Sequence, residues 1–329
     1  MMEKTHSPRT VVIAQWQAIE AFHQALTTPA TDLIAPTARH EDVVPLLPGA
    51  DVIVTGTFTR AMANAADSLR LIQTPGAGVN GIDFAALSKQ TTVCNVYGHE
   101  RGIAEYIFTT MAMLNRDYLG MDRRLRAGDW RDHLGMPLPE LQGKTIVIVG
   151  LGRIGAETAR WARFMEMNVI GVARNPAPGS ARTSGIDRIA GIESLRSVLP
   201  EADFVALSVP LTPETTGLIG PDELAAMKPN AYLINVARGE VVDEAALYTA
   251  LRDRTIAGAA IDTWYRYPVD DQPTPPSAYP FHELSNVVMT PHIAGATENT
   301  FFYRWATINE NLRRLWDGEP LRNPVIRPE

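Results

Sequence analysis

Short apolar runs alternate with amphipathic stretches along most of the chain, the pattern of parallel strands joined by helices. In the first hundred residues the strand-like runs are Val11–Ile13, Asp51–Val54, Arg70–Ile72 and Thr92–Cys94. Between residues 102 and 115 the period changes, and Ile103, Ile107, Met111 and Leu114 fall on one face of a helix. A loop rich in turn residues, Gly135–Gly143, leads to Thr145–Val149, which starts a second strand series. That series continues with Asn168–Ala173, Asp203–Leu207, Ala231–Val236, Ala257–Ile261 and Asn286–Met289. Strand-to-helix transitions repeated in this way predict a doubly wound nucleotide-binding domain. Pro268–Pro280 holds too many prolines for a central strand or helix and reads as a surface loop. Residues 297–317 predict a last helix, stopped before Gly318 and Pro320.

The 329 residues exceed one ordinary core and fit two domains. Hydrophobic residues make up 45% and charged ones 20%, the balance of a folded, water-exposed protein. A net charge of -7 gives no basic footprint and argues against nucleic acid as a partner. The single cysteine, Cys94, excludes an intramolecular disulfide and a cysteine zinc site, and its apolar neighbours predict a buried strand residue. No metal site is expected. Met1–Thr10 lacks the apolar core of a signal peptide, and no apolar run approaches the ~20 residues of a membrane span. The expectation is a cytoplasmic protein with no membrane contact.

Gly150-Leu151-Gly152-Arg153-Ile154-Gly155 matches the dinucleotide fingerprint in its required context, directly after an apolar strand and opening an amphipathic helix. Gly150 permits the tight turn, Gly152 lets a pyrophosphate approach the backbone, and Gly155 lets helix and strand pack closely. The bland alternative is a glycine turn with no ligand. An acidic residue that would bind the ribose 2′-hydroxyl of NAD is expected about 20 residues on, at the end of the next strand. Ala173 occupies that place and Arg174 follows it, ahead of Asn175. A missing carboxylate removes repulsion against a 2′-phosphate, and a guanidinium can bind that phosphate. NADP(H) is therefore the expected coenzyme, with NAD(H) the alternative.

Arg238 follows the run ending in Val236 and Ala237, and His292 follows the run ending in Met289, Thr290 and Pro291. Ligands of open α/β sheets bind beyond the carboxyl ends of strands. There an arginine can grip a carboxylate and polarise a carbonyl, and a histidine can move the hydroxyl proton. Taken singly, Arg238 could be a surface ion-pair partner and His292 a satisfied turn residue. Trp264 and Tyr265 read as wall residues.

Asn235-Val-Ala-Arg238-Gly239 with Val241-Val-Asp-Glu244, Gly258-Ala-Ala-Ile-Asp262 and Thr290-Pro-His292-Ile-Ala-Gly295 resemble signatures of the D-isomer-specific 2-hydroxyacid dehydrogenases. Gly76-Ala-Gly78-Val-Asn-Gly-Ile-Asp83 is similar to their substrate-carboxylate loop, and the resemblance spans nearly the whole chain. It implies an α/β fold of two doubly wound parallel-sheet domains. A Rossmann coenzyme domain, 99–295, is inserted into a flavodoxin-like substrate domain, 1–98 and 296–329. Position by position, it implies pyrophosphate contacts from Arg153 and Ile154, and Val209 and Pro210 on the adenine side. Val236, Asp262 and Gly295 would lie around the nicotinamide, and the Ala77 and Gly78 amides would hold the substrate carboxylate, with Arg238 opposite.

One position departs from the pattern. The family's glutamate that pairs with the catalytic histidine would fall on Tyr267, a phenol that can orient the ring but not stabilise its charged form equally. Asp270 and Asp271 are the alternative partners for His292. His99 stands where the family has a small polar side chain and becomes a candidate substrate contact. The resemblance implies an NADP(H)-linked reductase of a small 2-keto acid of the glyoxylate or hydroxypyruvate type. The alternatives are a dehydrogenase of an unusual small anion and a non-catalytic dinucleotide sensor. It also implies a homodimer, with Gly120–Gly143, including Trp130, as a candidate arm.

Overall fold

The computed structural model describes residues 9–14, 31–34, 40–130, 137–174, 185–268 and 272–325. Asn175, Asp270 and Asp271 lie outside them. The chain forms two units, Met1–Gly98 with Glu298–Glu329, and His99–Thr297.

In the first unit five strands form a parallel sheet: β1 (Arg9–Ala14), β2 (Thr31–Ile34), β3 (Val52–Thr55), β4 (Leu71–Gln73) and β5 (Thr92–Cys94), in the order β2-β1-β3-β4-β5. This is the flavodoxin-like order. Side chains alternate across a strand, and here both faces are buried. Val11, Ile13, Val52 and Val54 meet Trp305, Ile308 and Leu312 of the helix Glu298–Asp317, whereas Val12, Ile53, Ile72 and Val93 meet Leu47, Phe58 and Met62. Cys94 is fully buried, and burial pushes its thiol up to about 12, which makes it inert.

The second unit carries seven parallel strands: β6 (Thr145–Val149), β7 (Asn168–Ala173), β8 (Arg188–Gly191), β9 (Phe204–Leu207), β10 (Tyr232–Asn235), β11 (Gly258–Ile261) and β12 (Val287–Met289). Their order is β12-β11-β10-β9-β6-β7-β8. The order reverses between β6 and β9, the switch point at which doubly wound sheets bind ligands. Helix Glu100–Asn115 covers one face through Ile103, Ile107 and Met111, packed on Ile146, Ile148, Ala206 and Ile234. Val147, Val205, Leu233 and Ala259 belong to the core of the other face, with Leu247 and Leu251 of the helix Glu244–Arg252. Strands β2 and β8 were not evident from the sequence pattern, and β4 begins one residue later than the run Arg70–Ile72.

Candidate active site

At the switch point β6 is followed by Gly150, whose φ of 103° is a conformation that side chains rarely adopt. Its amide donates to the Val172 carbonyl, and its own carbonyl accepts from Ser208 Oγ at 2.9 Å. A side-chain carbon at Gly150 would stand 2.9 Å from the Ser208 carbonyl and 3.0 Å from Val209, so the β9 loop closes directly on the turn. Gly152 caps the helix Arg153–Phe164 in extended conformation. A carbon added there would meet nothing within 4 Å, whereas one at Gly155 would strike the Gly150 carbonyl. Tight packing beneath and open space in front form a cradle for an anionic group on the first helical amides. The residues fit a dinucleotide pyrophosphate.

Ala173 and Arg174 close β7, and Arg174 is exposed. Glu214, from the loop after β9, is held below its ordinary acidity range by the Thr212 hydroxyl and its own backbone, with a further contribution from the Arg174 charge. Glu214 therefore stands within electrostatic reach of Arg174. No local motif marks it, because forty residues separate the two. Pro210 lies on the same loop, its carbonyl accepting from Thr215 Oγ1.

Further along the sheet the turn after β10 presents Arg238. Asn235, 1% exposed, builds that turn: Oδ1 accepts the Ala237 amide and Nδ2 donates to the Arg238 carbonyl. The Arg238 guanidinium is half-buried and donates to the Ala237 carbonyl at 2.7 Å, with no carboxylate partner among the described residues. At Gly239 a side-chain carbon would meet the Trp264 backbone at 2.5 Å, so the turns after β10 and β11 lie against each other.

His292 is held in left-handed conformation, φ 56°, which costs on the order of 1–3 kcal/mol and has to be imposed by its surroundings. Asp262 imposes it. Its carboxylate is 1% exposed; Oδ1 accepts Thr290 Oγ1 at 2.6 Å and the Ile293 amide at 2.8 Å, and Oδ2 accepts the Ala294 amide at 2.9 Å. Trp264 Nε1 donates to the Thr290 carbonyl, and Tyr106 shares a hydrogen bond with Thr290 Oγ1. Both Asp262 oxygens are thus engaged within the protein, and the residue acts on the histidine loop.

The Tyr267 hydroxyl lies 2.9 Å from His292 Nδ1 and accepts the Trp264 amide at 3.3 Å. With the backbone donating to its oxygen, the phenol's own proton is available to Nδ1, which leaves the neutral imidazole's proton on Nε2. The His292 pKa is lowered from 6.5 by burial first and by the Arg238 charge second, with Asp262 pulling the other way. Burial raises the Tyr267 pKa, and Arg238 opposes that shift. Arg238, Tyr267 and His292 therefore sit within one another's fields.

Val236 is buried in the core with Ile103 and Ala294, and Gly295 packs beside His99 and Ile103. His99 stands at the N-cap position of the helix Glu100–Asn115, beside Gly295 of the histidine loop. Arg153 and Ile154 open the fingerprint helix. Ala77 and Gly78 belong to the first unit, on the loop after β4. Val96 donates to the Gly76 carbonyl and Asn95 Nδ2 to the Ala77 carbonyl, and among the described residues the Ala77 and Gly78 amides have no acceptor.

A doubly wound unit with a dinucleotide cradle, and an arginine and a histidine at the ends of its other strands, defines a nicotinamide-binding oxidoreductase class. The family model for the D-isomer specific 2-hydroxyacid dehydrogenase NAD binding domain matches residues 108–294. A glyoxylate reductase of Korarchaeum cryptofilum is 35% identical over 274 residues, covering 81% of this chain and 79% of that protein. A D-3-phosphoglycerate dehydrogenase of Methanocaldococcus jannaschii is 33% identical over 300 residues, covering 90% of this chain but 55% of that protein. The chain thus spans about half the length of the phosphoglycerate dehydrogenases it matches. The solved NADPH-dependent glyoxylate/hydroxypyruvate reductase of Sinorhizobium meliloti superposes with a TM-score of 0.81 at 26% identity, covering 98% of each chain.

The chain belongs to the D-isomer specific 2-hydroxyacid dehydrogenase family. A nicotinamide coenzyme belongs to its second unit. Among the described residues no helix is long and apolar enough to cross a membrane.

Proposed function

We propose that the chain reduces a small 2-oxo acid of the glyoxylate or hydroxypyruvate type with NADPH and, in reverse, oxidises the D-2-hydroxy acid. The observation that carries this reading is the cluster of Arg238, Tyr267 and His292 on the unit that bears the dinucleotide cradle. The relatives named glyoxylate and glyoxylate/hydroxypyruvate reductase support it.

A nicotinamide held by the Gly150–Gly155 turn would supply the hydride for the carbonyl carbon. His292 Nε2 delivers the proton to the carbonyl oxygen. In the charged ring both nitrogens carry protons, so Nδ1 then donates to the Tyr267 oxygen and the phenol proton turns away. Arg238, with no carboxylate partner among the described residues, grips the carboxylate and polarises the carbonyl. Ala77 and Gly78 are the first unit's candidate carboxylate-binding amides, and His99 is a candidate substrate contact of the second unit. The Gly150–Gly155 turn takes the pyrophosphate through Gly152, Arg153 and Ile154. Val209 and Pro210 line the adenine side, Val236 and Gly295 the nicotinamide side, and Asp262 positions the histidine loop. Ala173 and Arg174 favour a 2′-phosphate, hence NADPH over NADH. Two copies associate through the arm that carries Trp130.

The test is NADPH oxidation against a panel of 2-oxo acids by the native chain and by Arg238→Ala. The expected result is turnover that falls by at least about a hundredfold in kcat/KM in the variant while coenzyme affinity is kept. Normal turnover by Arg238→Ala would move the active site elsewhere. A second reading, dehydrogenation of a small anion with no proton exchange, is favoured by one observation: the neutral phenol on His292.

A further inference from the structure

The loop that carries His292 is closed from both sides on one oxygen. Before the histidine, Thr290 donates its hydroxyl to Asp262 Oδ1 at 2.6 Å; after it, the Ile293 amide donates to the same atom at 2.8 Å. The Ala294 amide donates to Oδ2 at 2.9 Å. Pro291 stands between them with its φ fixed by the ring, so little freedom is left and His292 is driven to φ 56°. The Thr290 backbone is engaged as well: its amide donates to the Ile261 carbonyl, and its carbonyl accepts from Trp264 Nε1. The Trp264 amide in turn donates to the Tyr267 hydroxyl, which meets His292 Nδ1. Thr290 is therefore where the support of the loop joins the support of the ring.

The last group on Thr290 comes from another element. The Tyr106 hydroxyl lies 2.8 Å from Thr290 Oγ1. A threonine hydroxyl has one hydrogen, and a carboxylate only accepts. The Thr290 hydrogen is thus committed to Asp262, and Tyr106 has to be the donor to Thr290. Each donor polarises the next, so the phenol strengthens the hold of the hydroxyl on Asp262. Burial pushes the Tyr106 pKa up, the Thr290 bond opposes this and the Asp262 charge adds to it, so the phenol keeps the proton that the chain requires. Its backbone is fixed by the helix Glu100–Asn115, where Ile103 and Ile107 pack on the sheet and Thr110 Oγ1 donates to the Tyr106 carbonyl. All these residues belong to the second unit.

We propose that Tyr106 is a positioning residue for the reaction, which acts through Thr290 to lock the Asp262 clamp on the left-handed His292. This rests on the function proposed above, in which His292 moves the proton. The groups that act on His292 are the Arg238 guanidinium after β10, and the Asp262 carboxylate and Tyr267 hydroxyl after β11. His99, at the N-cap of the helix, stands beside Gly295 of the same loop. Among them Asp262 is the group that favours the charged ring, and the oriented Thr290 hydroxyl offsets part of its charge. Without the Tyr106 hydroxyl the threonine is free to turn, which leaves more of the Asp262 charge to the ring and lets the loop relax toward water. Both changes raise the affinity of His292 for its proton.

Four variants test this: Tyr106→Phe, which keeps the ring, Thr290→Val, which removes the link, Thr290→Ser, which keeps the hydroxyl, and the Tyr106→Phe, Thr290→Val double variant. The first readout is the titration of His292 in the coenzyme-free chain, followed by NMR of labelled histidine and assigned by the signal lost in His292→Gln. Tyr106→Phe should raise the midpoint, Thr290→Val should raise it further, and Thr290→Ser should bring it back toward the native value. In the Thr290→Val chain, Tyr106→Phe should add nothing, because the phenol acts only through the threonine. A phenol that merely fills space would leave the midpoint unmoved in Tyr106→Phe.

The second readout is glyoxylate reduction with NADPH. Tyr106→Phe should lower kcat by about tenfold, the order of one hydrogen bond in a charged network, with KM and coenzyme affinity kept within about twofold. The falling limb of kcat/KM should move to higher pH together with the His292 midpoint. A midpoint unchanged by Tyr106→Phe, or raised equally with Thr290 and with Val at that position, would overturn the proposal. If no 2-oxo acid is reduced but the midpoint moves as described, the proposed activity fails and the clamp stands.

Discussion

A phenol in contact with a histidine fixes the ring's direction but adds no charge to stabilise imidazolium, and Tyr267 holds His292 Nδ1 in this way. In the proposed reduction the charged ring is the proton donor, and its pKa is displaced downward from 6.5. Its charged fraction shrinks as pH rises through that lowered value, so reductive kcat/KM should fall across a range below 6.5. Tyr267→Glu supplies a counter-charge and should carry the falling limb to higher pH. Tyr267→Phe should lose rate by about tenfold through lost orientation while the limb stays in place. The measurement is kcat/KM against pH for the three proteins, and a limb unmoved by Tyr267→Glu would refute the pairing. A native profile with no limb at all would favour the small-anion reading. The proposed preference for NADPH belongs to the same scale and rests on Ala173, Arg174 and Glu214. NADPH should exceed NADH by at least about tenfold in kcat/KM. Ala173→Asp should erode that preference by repelling the 2′-phosphate, and Glu214→Gln should sharpen it by releasing Arg174 from a competing charge. A native preference for NADH would refute this account of the strand end.

The element that opens the coenzyme cradle separates two kinds of glycine. Gly152 faces open space and Gly155 faces the Gly150 carbonyl. Gly152→Ala should therefore fold normally yet bind coenzyme at least about tenfold more weakly, because its methyl enters the space of the pyrophosphate. Gly155→Ala should instead lose about 1–3 kcal/mol of stability, because helix and strand have to separate. Thermal unfolding paired with coenzyme titration distinguishes them. A Gly152→Ala chain with native coenzyme affinity would mean that the phosphates bind elsewhere. Both roles could be assigned from consecutive residues, since the turn, the strand before it and the helix after it are a local pattern. The histidine loop is different. Asp262 is separated by thirty residues from the amides of Ile293 and Ala294 that it receives, and its hold on them exists only once β11 and β12 lie side by side.

For the molecule as a whole, the segment with Trp130 exposes apolar surface out of keeping with its polar surroundings. Trp130 is 83% exposed and Leu125 57%, with Tyr118, Leu119 and Leu138 also exposed. Exposed apolar side chains of this kind are what a protein contact would cover, and the proposed dimer arm uses them. Sedimentation should show a dimer for the native chain and a monomer for Leu125→Glu with Trp130→Glu, each with unchanged secondary structure. A monomeric native chain would remove the arm from the account.

What the sequence determined by itself was whatever is carried by neighbouring residues: the strand and helix series, the fingerprint, and Arg238 and His292 just beyond strand ends. Period and turn chemistry are local properties, so they survive in one dimension. Strands β2 and β8 escaped because their apolar runs are only two residues long, Leu33–Ile34 and Ile189–Ala190, next to polar or charged ones. The tertiary structure alone decided that both Asp262 oxygens are engaged within the protein, that Glu214 lies within reach of Arg174, and that the Tyr267 hydroxyl meets His292 Nδ1. Each of these depends on which distant groups share a place and how much water is excluded from it, and folding fixes both.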